Sequence, residues 1–116
     1  MRNISCFHTT DQVLARTKTV TRRLAWRGLK PGTMLRVVRK SMGMRKGDRV
    51  EKLAVVRVVS VRREWLWEVT REDVVKEGFP DWSRADFIEF FTGAMGVGPS
   101  QEVTRIEWEY ADEAED

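Results

Sequence analysis

The sequence predicts an α+β domain on a mostly antiparallel, curled sheet or small barrel, with short helices at its flanks. Two observations carry the prediction. The β-type segments follow one another through hairpin-like connections, without the regular strand–helix–strand alternation that builds a parallel sheet. The helical segments are short and leave the β-rich stretches to form the frame. At 116 residues the chain is one domain with one core, and 41% hydrophobic against 34% charged residues makes it globular rather than disordered.

Residues 3–7 read as a first strand with Ile4, Cys6 and Phe7 buried. Thr9 or Thr10 can cap a two-turn helix, Asp11 suits its positive end, and Val13 and Leu14 give it an apolar side. The next eight residues, 16–23, hold four cations, three hydroxyls and one apolar side chain. Buried Lys and Arg need partners, so this run is expected along an open surface. Lys30-Pro31-Gly32 is a turn signal before a strand at 34–38, and 40–48 reads as a flexible cationic hairpin loop. Residues 50–67 are strongly β-branched with an unclean phase. Val56, Val58 and Ser60 share one parity and Val55, Val59 and Val61 the other, as a bulge or burial on both faces would produce.

Thr70-Arg71-Glu72-Asp73 resembles a capping box opening a helix to about Lys76, and Glu77-Gly78-Phe79-Pro80 ends it. Ser83 caps a second helix to about Met95, with Phe87, Ile88, Phe90 and Phe91 as its buried stripe. Residues 102–110 alternate as a last strand, with Ile106, Trp108 and Tyr110 on the core face. The order is β-α-β-β-α-α-β. Residues 1–110 are expected to form the domain, and 111–116 an acidic, disordered tail.

Residues 1–63 carry 17 Lys/Arg against 3 Asp/Glu, and residues 64–116 carry 4 against 15. A basic half suits a polyanion, most simply nucleic acid, unless the two halves neutralise each other in the fold. The longest apolar runs are a few residues and the N-terminus lacks an apolar leader core, so no membrane span or signal peptide is expected. Lone Cys6 forms no internal disulfide, and cytoplasmic residence fits best. One His and one Cys cannot assemble a His/Cys zinc site, and no glycine-rich phosphate loop is present, so no metal and no cofactor is expected. Nothing fixes the oligomeric state; a monomer is the simplest expectation. Trp108 and Trp65 or Trp67 are core candidates, whereas Trp26 and Trp82 could stack on a base.

From these residues the chain resembles the ASCH-domain family, a branch of the PUA-like β-barrel superfamily. The resemblance rests on the strand and helix leading into Arg16-Thr17-Lys18-Thr19-Val20-Thr21-Arg22, on the Lys30-Pro31-Gly32 turn and strand, and on Lys76-Glu77-Gly78-Phe79. It implies a PUA-like fold with a basic cleft that binds RNA or a modified nucleoside. One bacterial branch of the family is an amidohydrolase that removes the acetyl group of N4-acetylcytidine. Its functional Lys, Thr and Glu fall here on Lys18, Thr21 and Glu77. Other members are credited with RNA binding or RNA cleavage, so the function implied is RNA or nucleoside binding, with amidohydrolase and ribonuclease as alternatives.

The residues support that chemistry independently. Lys18 and Thr21, three apart, face the same way in a turn but not in a straight strand. If they converge, Thr21 Oγ can attack an amide carbonyl while neutral Lys18 takes its proton, and Glu77 can orient water or protonate a leaving amine. Arg16, Thr19, Arg22, Arg23, Trp26 and His8 are the candidates for holding substrate or nucleic acid.

Overall fold

The structure, a computed structural model, describes residues 1–40 and 45–111. Strand β1 (Arg2–Ser5) leads through a 3-10 turn (Phe7–Thr9) into helix α1 (Thr10–Leu14). Strands β2 (Val20–Arg23), β3 (Met34–Val38) and β4 (Lys52–Trp65) follow. After a second 3-10 turn come α2 (Arg71–Lys76), α3 (Arg84–Met95) and β5 (Glu102–Tyr110). One five-stranded sheet runs β1-β3-β4-β5-β2. Its β3–β4, β4–β5 and β5–β2 pairs are antiparallel, and β1–β3 is parallel. The fold is therefore α+β on a mixed, mostly antiparallel sheet, in the class the sequence predicts.

The sheet curls until its two edges meet through side chains. The Arg2 guanidinium lies 4.0 Å over the ring of Trp26, just past β2. Arg23 Nη2 reaches Cys6 Sγ, just past β1, at 3.3 Å. The result is a half-barrel with two apolar cores. Ile4, Val13, Leu35, Val56, Ile106 and Trp108 fill one. Leu66, Val74, Phe79, Phe87, Phe91 and Val103 pack the other beneath α2 and α3. Strand β5 feeds both, with Val103 in one core and Ile106 and Trp108 in the other.

Several sequence expectations are met at the level of single bonds. Thr70 Oγ1 accepts from Asp73 N, and Ser83 and Asp86 form a reciprocal capping box. A register shift between Val58 and Ser60 is the bulge behind the unclean phase of β4, and it turns Val59 out to solvent.

Others are corrected. The basic run does not follow an open surface: its second half is β2, and Lys18, Thr21 and Arg22 are each 3% exposed. Phe7 is exposed rather than core, because β1 ends at Ser5 and the chain turns. Thr9 makes no side-chain cap, and Thr10 Oγ1 instead donates to the Cys6 and Phe7 carbonyls, which tightens that turn. Trp65 and Trp67 are exposed, since the 3-10 turn places Leu66 between them into the core. Trp82 stacks on Phe79 with centroids 4.0 Å apart. Ala111 is buried, with its N–H on the Val55 carbonyl, so packing against the sheet continues one residue past β5, into the expected tail. The rest of that tail, 112–116, and part of the 40–48 loop, 41–44, lie outside the described residues.

Gly78 is the tightest backbone position. Its φ is +109°, and a Cβ there would lie 2.8 Å from Gln12 Cγ. Gln12 Nε2 also donates to the Gly78 carbonyl, which ties α1 to the end of α2. Gly78→Ala combines left-handed strain with a clash. It is expected to cost about 1–3 kcal/mol, read as a lower urea midpoint at unchanged slope; a midpoint equal to wild type would refute the clash.

Candidate active site

The segment before β2 is clamped from two sides. Trp108 Nε1 and the Tyr110 hydroxyl both donate to the Lys18 carbonyl. The Thr19 N–H donates to the Lys76 carbonyl, and the Trp108 N–H to the Thr19 carbonyl. This backbone, held between β5 and the end of α2, aims the Lys18 side chain at Glu77. Burial pushes the Tyr110 phenol up to about 12, so it stays a donor through the neutral range.

Glu77 closes α2, and both of its carboxylate oxygens are occupied. Lys18 Nζ donates to Oε1 at 2.9 Å and to the Glu77 carbonyl at 2.9 Å. Arg22 Nη1 donates to Oε2 at 3.0 Å. The Arg22 guanidinium also binds Glu64 through Nε and Nη2, and Asp73 through Nη2. Arg105 completes the cluster with a bidentate grip on Asp73, at 2.6 Å and 2.9 Å. Burial works against the charge on Arg22, but Glu77, Asp73 and Glu64 outweigh it and raise its pKa. Burial likewise opposes ionisation of Asp73, yet hydrogen bonds from Arg105 and Arg22 hold its carboxyl well below the usual carboxylate range.

Thr21 is on β2 beside this cluster. Its Oγ1 accepts from Arg23 Nε at 3.1 Å, and Arg23 Nη2 donates to Cys6 Sγ. Thr21 and Lys18 are not hydrogen-bonded to each other, yet they line one cavity of about 240 Å³. Its polar side is Lys18, Thr21, Arg22, Arg23 and Glu77. Its apolar side is Phe79 with Phe87, Phe90, Phe91 and Met95 from α3, and Phe7 and His8 stand at its edge. The exposed His8 ring meets Phe7 and Phe90 edge-on, at 5.6 Å and 5.4 Å.

Six of the nine candidate residues therefore share this cavity: Lys18, Thr21, Glu77, Arg22, Arg23 and His8. Arg16, Thr19 and Trp26 do not line it. Arg16 lies against the Tyr110 ring, Thr19 works through its backbone, and Trp26 is covered by Arg2. Sequence reasoning missed Asp73, Glu64 and Arg105, and it read the α3 phenylalanines only as core. One signal existed. Asp73 and Glu77, four apart, place two carboxylates on one helix face, an unfavourable pair unless a cation lies between them.

No protein-family profile matches the sequence, and neither does any curated protein. Solved structures do. Hypothetical protein PH0355 superposes with a TM-score of 0.65 at 17% identity, over 95% of this chain and 96% of its own. An ASCH domain from Lactobacillus crispatus gives 0.63 at 16% identity, over 92% of this chain and 75% of its own. Protein EF3133 from Enterococcus faecalis gives 0.62 at 17% identity, over 90% and 71%. At such identities the likeness speaks for architecture, and with the curled five-stranded sheet and its flanking helices it shows that this chain has an ASCH-type, PUA-like fold.

Proposed function

We propose that the protein binds a modified nucleobase in this cavity and hydrolyses an acyl amide on it, with an N4-acylated cytidine as the substrate class. The observation that carries the reading is the meeting of Lys18, Thr21 and Glu77, 59 residues apart from first to last, on one cavity. A module that only binds needs no buried Lys–Glu pair beside a hydroxyl. The cavity volume is just below the usual range for small-molecule sites, which suits a single base more than a length of strand. The aromatic side offers a stacking surface and the polar side the reacting groups.

In this reading Lys18 Nζ first passes one proton along its hydrogen bond to Glu77 Oε1, and as Thr21 Oγ attacks the acyl carbon the Thr21 proton passes to the amine so formed. The leaving exocyclic amine takes that proton as the C–N bond breaks. Water beside Glu77 then attacks the Thr21 ester; its proton passes to Lys18 and on to Thr21 Oγ as the ester bond breaks, and the acid leaves as carboxylate with release of one proton. The test is release of acetate from N4-acetylcytidine by the wild-type protein; no turnover by folded protein would remove this substrate class. The ribonuclease alternative draws less support, because Lys18 and Arg22, the groups that would face a phosphate, each hold carboxylates already.

RNA binding over the outer surface is a second reading. Much of the basic half is consumed by the acidic half, as in Arg22–Glu64, Arg63–Glu102 and Arg57–Glu109. Lys40, Arg45, Lys46 and Arg49 remain exposed and without a carboxylate partner among the described residues. If all four engage phosphates, log affinity for single-stranded RNA falls against log salt with a slope of about −3, at roughly 0.7 per contact. Affinity independent of salt would refute it.

A further inference from the structure

The cations lining the cavity are of two kinds. Lys18 is ion-paired with Glu77, and Arg22 with Glu64, Asp73 and Glu77. Arg23 is half-buried and has no carboxylate partner among the described residues. Its Nε–H rests on the Thr21 hydroxyl oxygen at 3.1 Å and its Nη2–H on the Cys6 sulfur at 3.3 Å. These two nitrogens form the edge with which a guanidinium grips a carboxylate in a fork. Here that edge faces two neutral groups, and a thiol sulfur is a weak acceptor that an oxygen anion readily replaces. An unneutralised guanidinium beside a hydroxyl, on the wall of a half-apolar cavity, is a site for an anion.

We propose that Arg23 is the anion-binding residue of the cavity: it receives the oxyanion that develops on the acyl oxygen and afterwards holds the carboxylate product. The oxyanion role rests on the hydrolytic reading above; the carboxylate site does not. As the Thr21 Oγ–carbon bond forms, the carbonyl π pair moves onto the acyl oxygen and the Thr21 proton goes to Lys18. The oxyanion and Oγ are then bonded to the same carbon. Arg23 Nε stays on Oγ while Nη2 exchanges the Cys6 sulfur for the oxyanion. When the intermediate collapses, the pair returns to the carbonyl, the C–N bond breaks, and the departing amine takes the proton from Lys18. Donors placed where charge develops, in a site shielded from water, are worth far more than in bulk solvent.

Two measurements on the whole protein decide this. Sodium acetate is titrated into wild-type protein while the Arg23 side-chain Nε–H resonance is followed. A saturable shift at Arg23, absent in Arg23→Ala, supports the site; a resonance unmoved by acetate overturns it. Hydrolysis of N4-acetylcytidine is then compared across variants. Arg23→Ala is expected to lower kcat about 100- to 1,000-fold with little change in KM, Arg23→Lys to retain part of the rate, and added guanidinium to restore part of the rate to Arg23→Ala but none to Thr21→Ala. Full kcat in Arg23→Ala overturns the oxyanion role. A wild-type protein that releases no acetate overturns the hydrolytic reading and the oxyanion role together, and the carboxylate site still stands or falls on the titration.

Discussion

Thr21→Ala and Lys18→Ala are each expected to abolish acetate release from N4-acetylcytidine, and the double variant to be little worse than either alone. Groups that act as one unit lose their effect together, so each single loss should be roughly 10,000-fold or more in kcat and the two should not multiply. Thr21→Ser should keep measurable rate, because a hydroxyl stays within reach of Arg23 Nε. Glu77→Gln keeps the shape but removes the charge opposite Lys18 and Arg22, and should fall between. Thermal unfolding of each variant separates lost chemistry from lost structure. A pure binding module would show a different pattern: no turnover by the parent, and graded, modest losses of RNA affinity. Losses that multiply in the double variant would mean that the two residues act independently.

Arg22→Ala is expected to produce a large loss of stability. Its guanidinium is almost wholly buried and holds Glu64, Asp73 and Glu77 at once. Removing it leaves Glu77, Asp73 and Glu64 with one cation each, Lys18, Arg105 and Arg62, and strips a hydrogen bond from all three buried carboxylates; deleting one partner of a buried pair costs about 3–5 kcal/mol. In a domain of this size that is a fall in Tm of roughly 15 °C or more. Arg62→Ala is the control: its pair with Glu64 is made from an exposed side chain and should change stability by less than about 1 kcal/mol. The same cluster sets an acid limit. Asp73 ionises more readily in the folded chain than in the unfolded one, so its contribution is complete above its ordinary pKa. That contribution is lost as pH falls from about 4 toward the depressed folded value. A wild-type Tm that stays flat from pH 5 to pH 2 would contradict this, as would an Arg22→Ala Tm equal to wild type.

How far the sequence was legible depended on whether the deciding partner was near in the chain. Strand β5 and helix α3 were readable because alternation, the Ser83 cap and the apolar stripe are local signals. The basic run was not. Its cations enter the interior because their carboxylates arrive 42 to 59 residues later, at Glu64, Asp73 and Glu77, and no local pattern announces that pairing. Default exposure of Lys and Arg therefore gave the wrong surface for Arg22, whereas Lys18 and Thr21, three apart, do line one cavity. The tryptophans failed for a related reason. Trp65 and Trp67 look like core by type, but a three-residue turn decides that Leu66 goes inside and both indoles go out.

The strand order has a consequence for the protein during its synthesis. Strand β2, which carries Thr21 and Arg22, is hydrogen-bonded within the sheet to β5 alone, and β5 is the last element in order among the described residues. Trp108 and Tyr110, which grip the Lys18 carbonyl, are on that same strand. A nascent chain that has released only its first hundred residues has Lys18, Thr21 and Glu77 in hand but nothing to hold β2 in register. Such long-range pairing forms late. The site therefore assembles only once β5 is free to pair, and a polypeptide cut short before Glu102 cannot hold an assembled site.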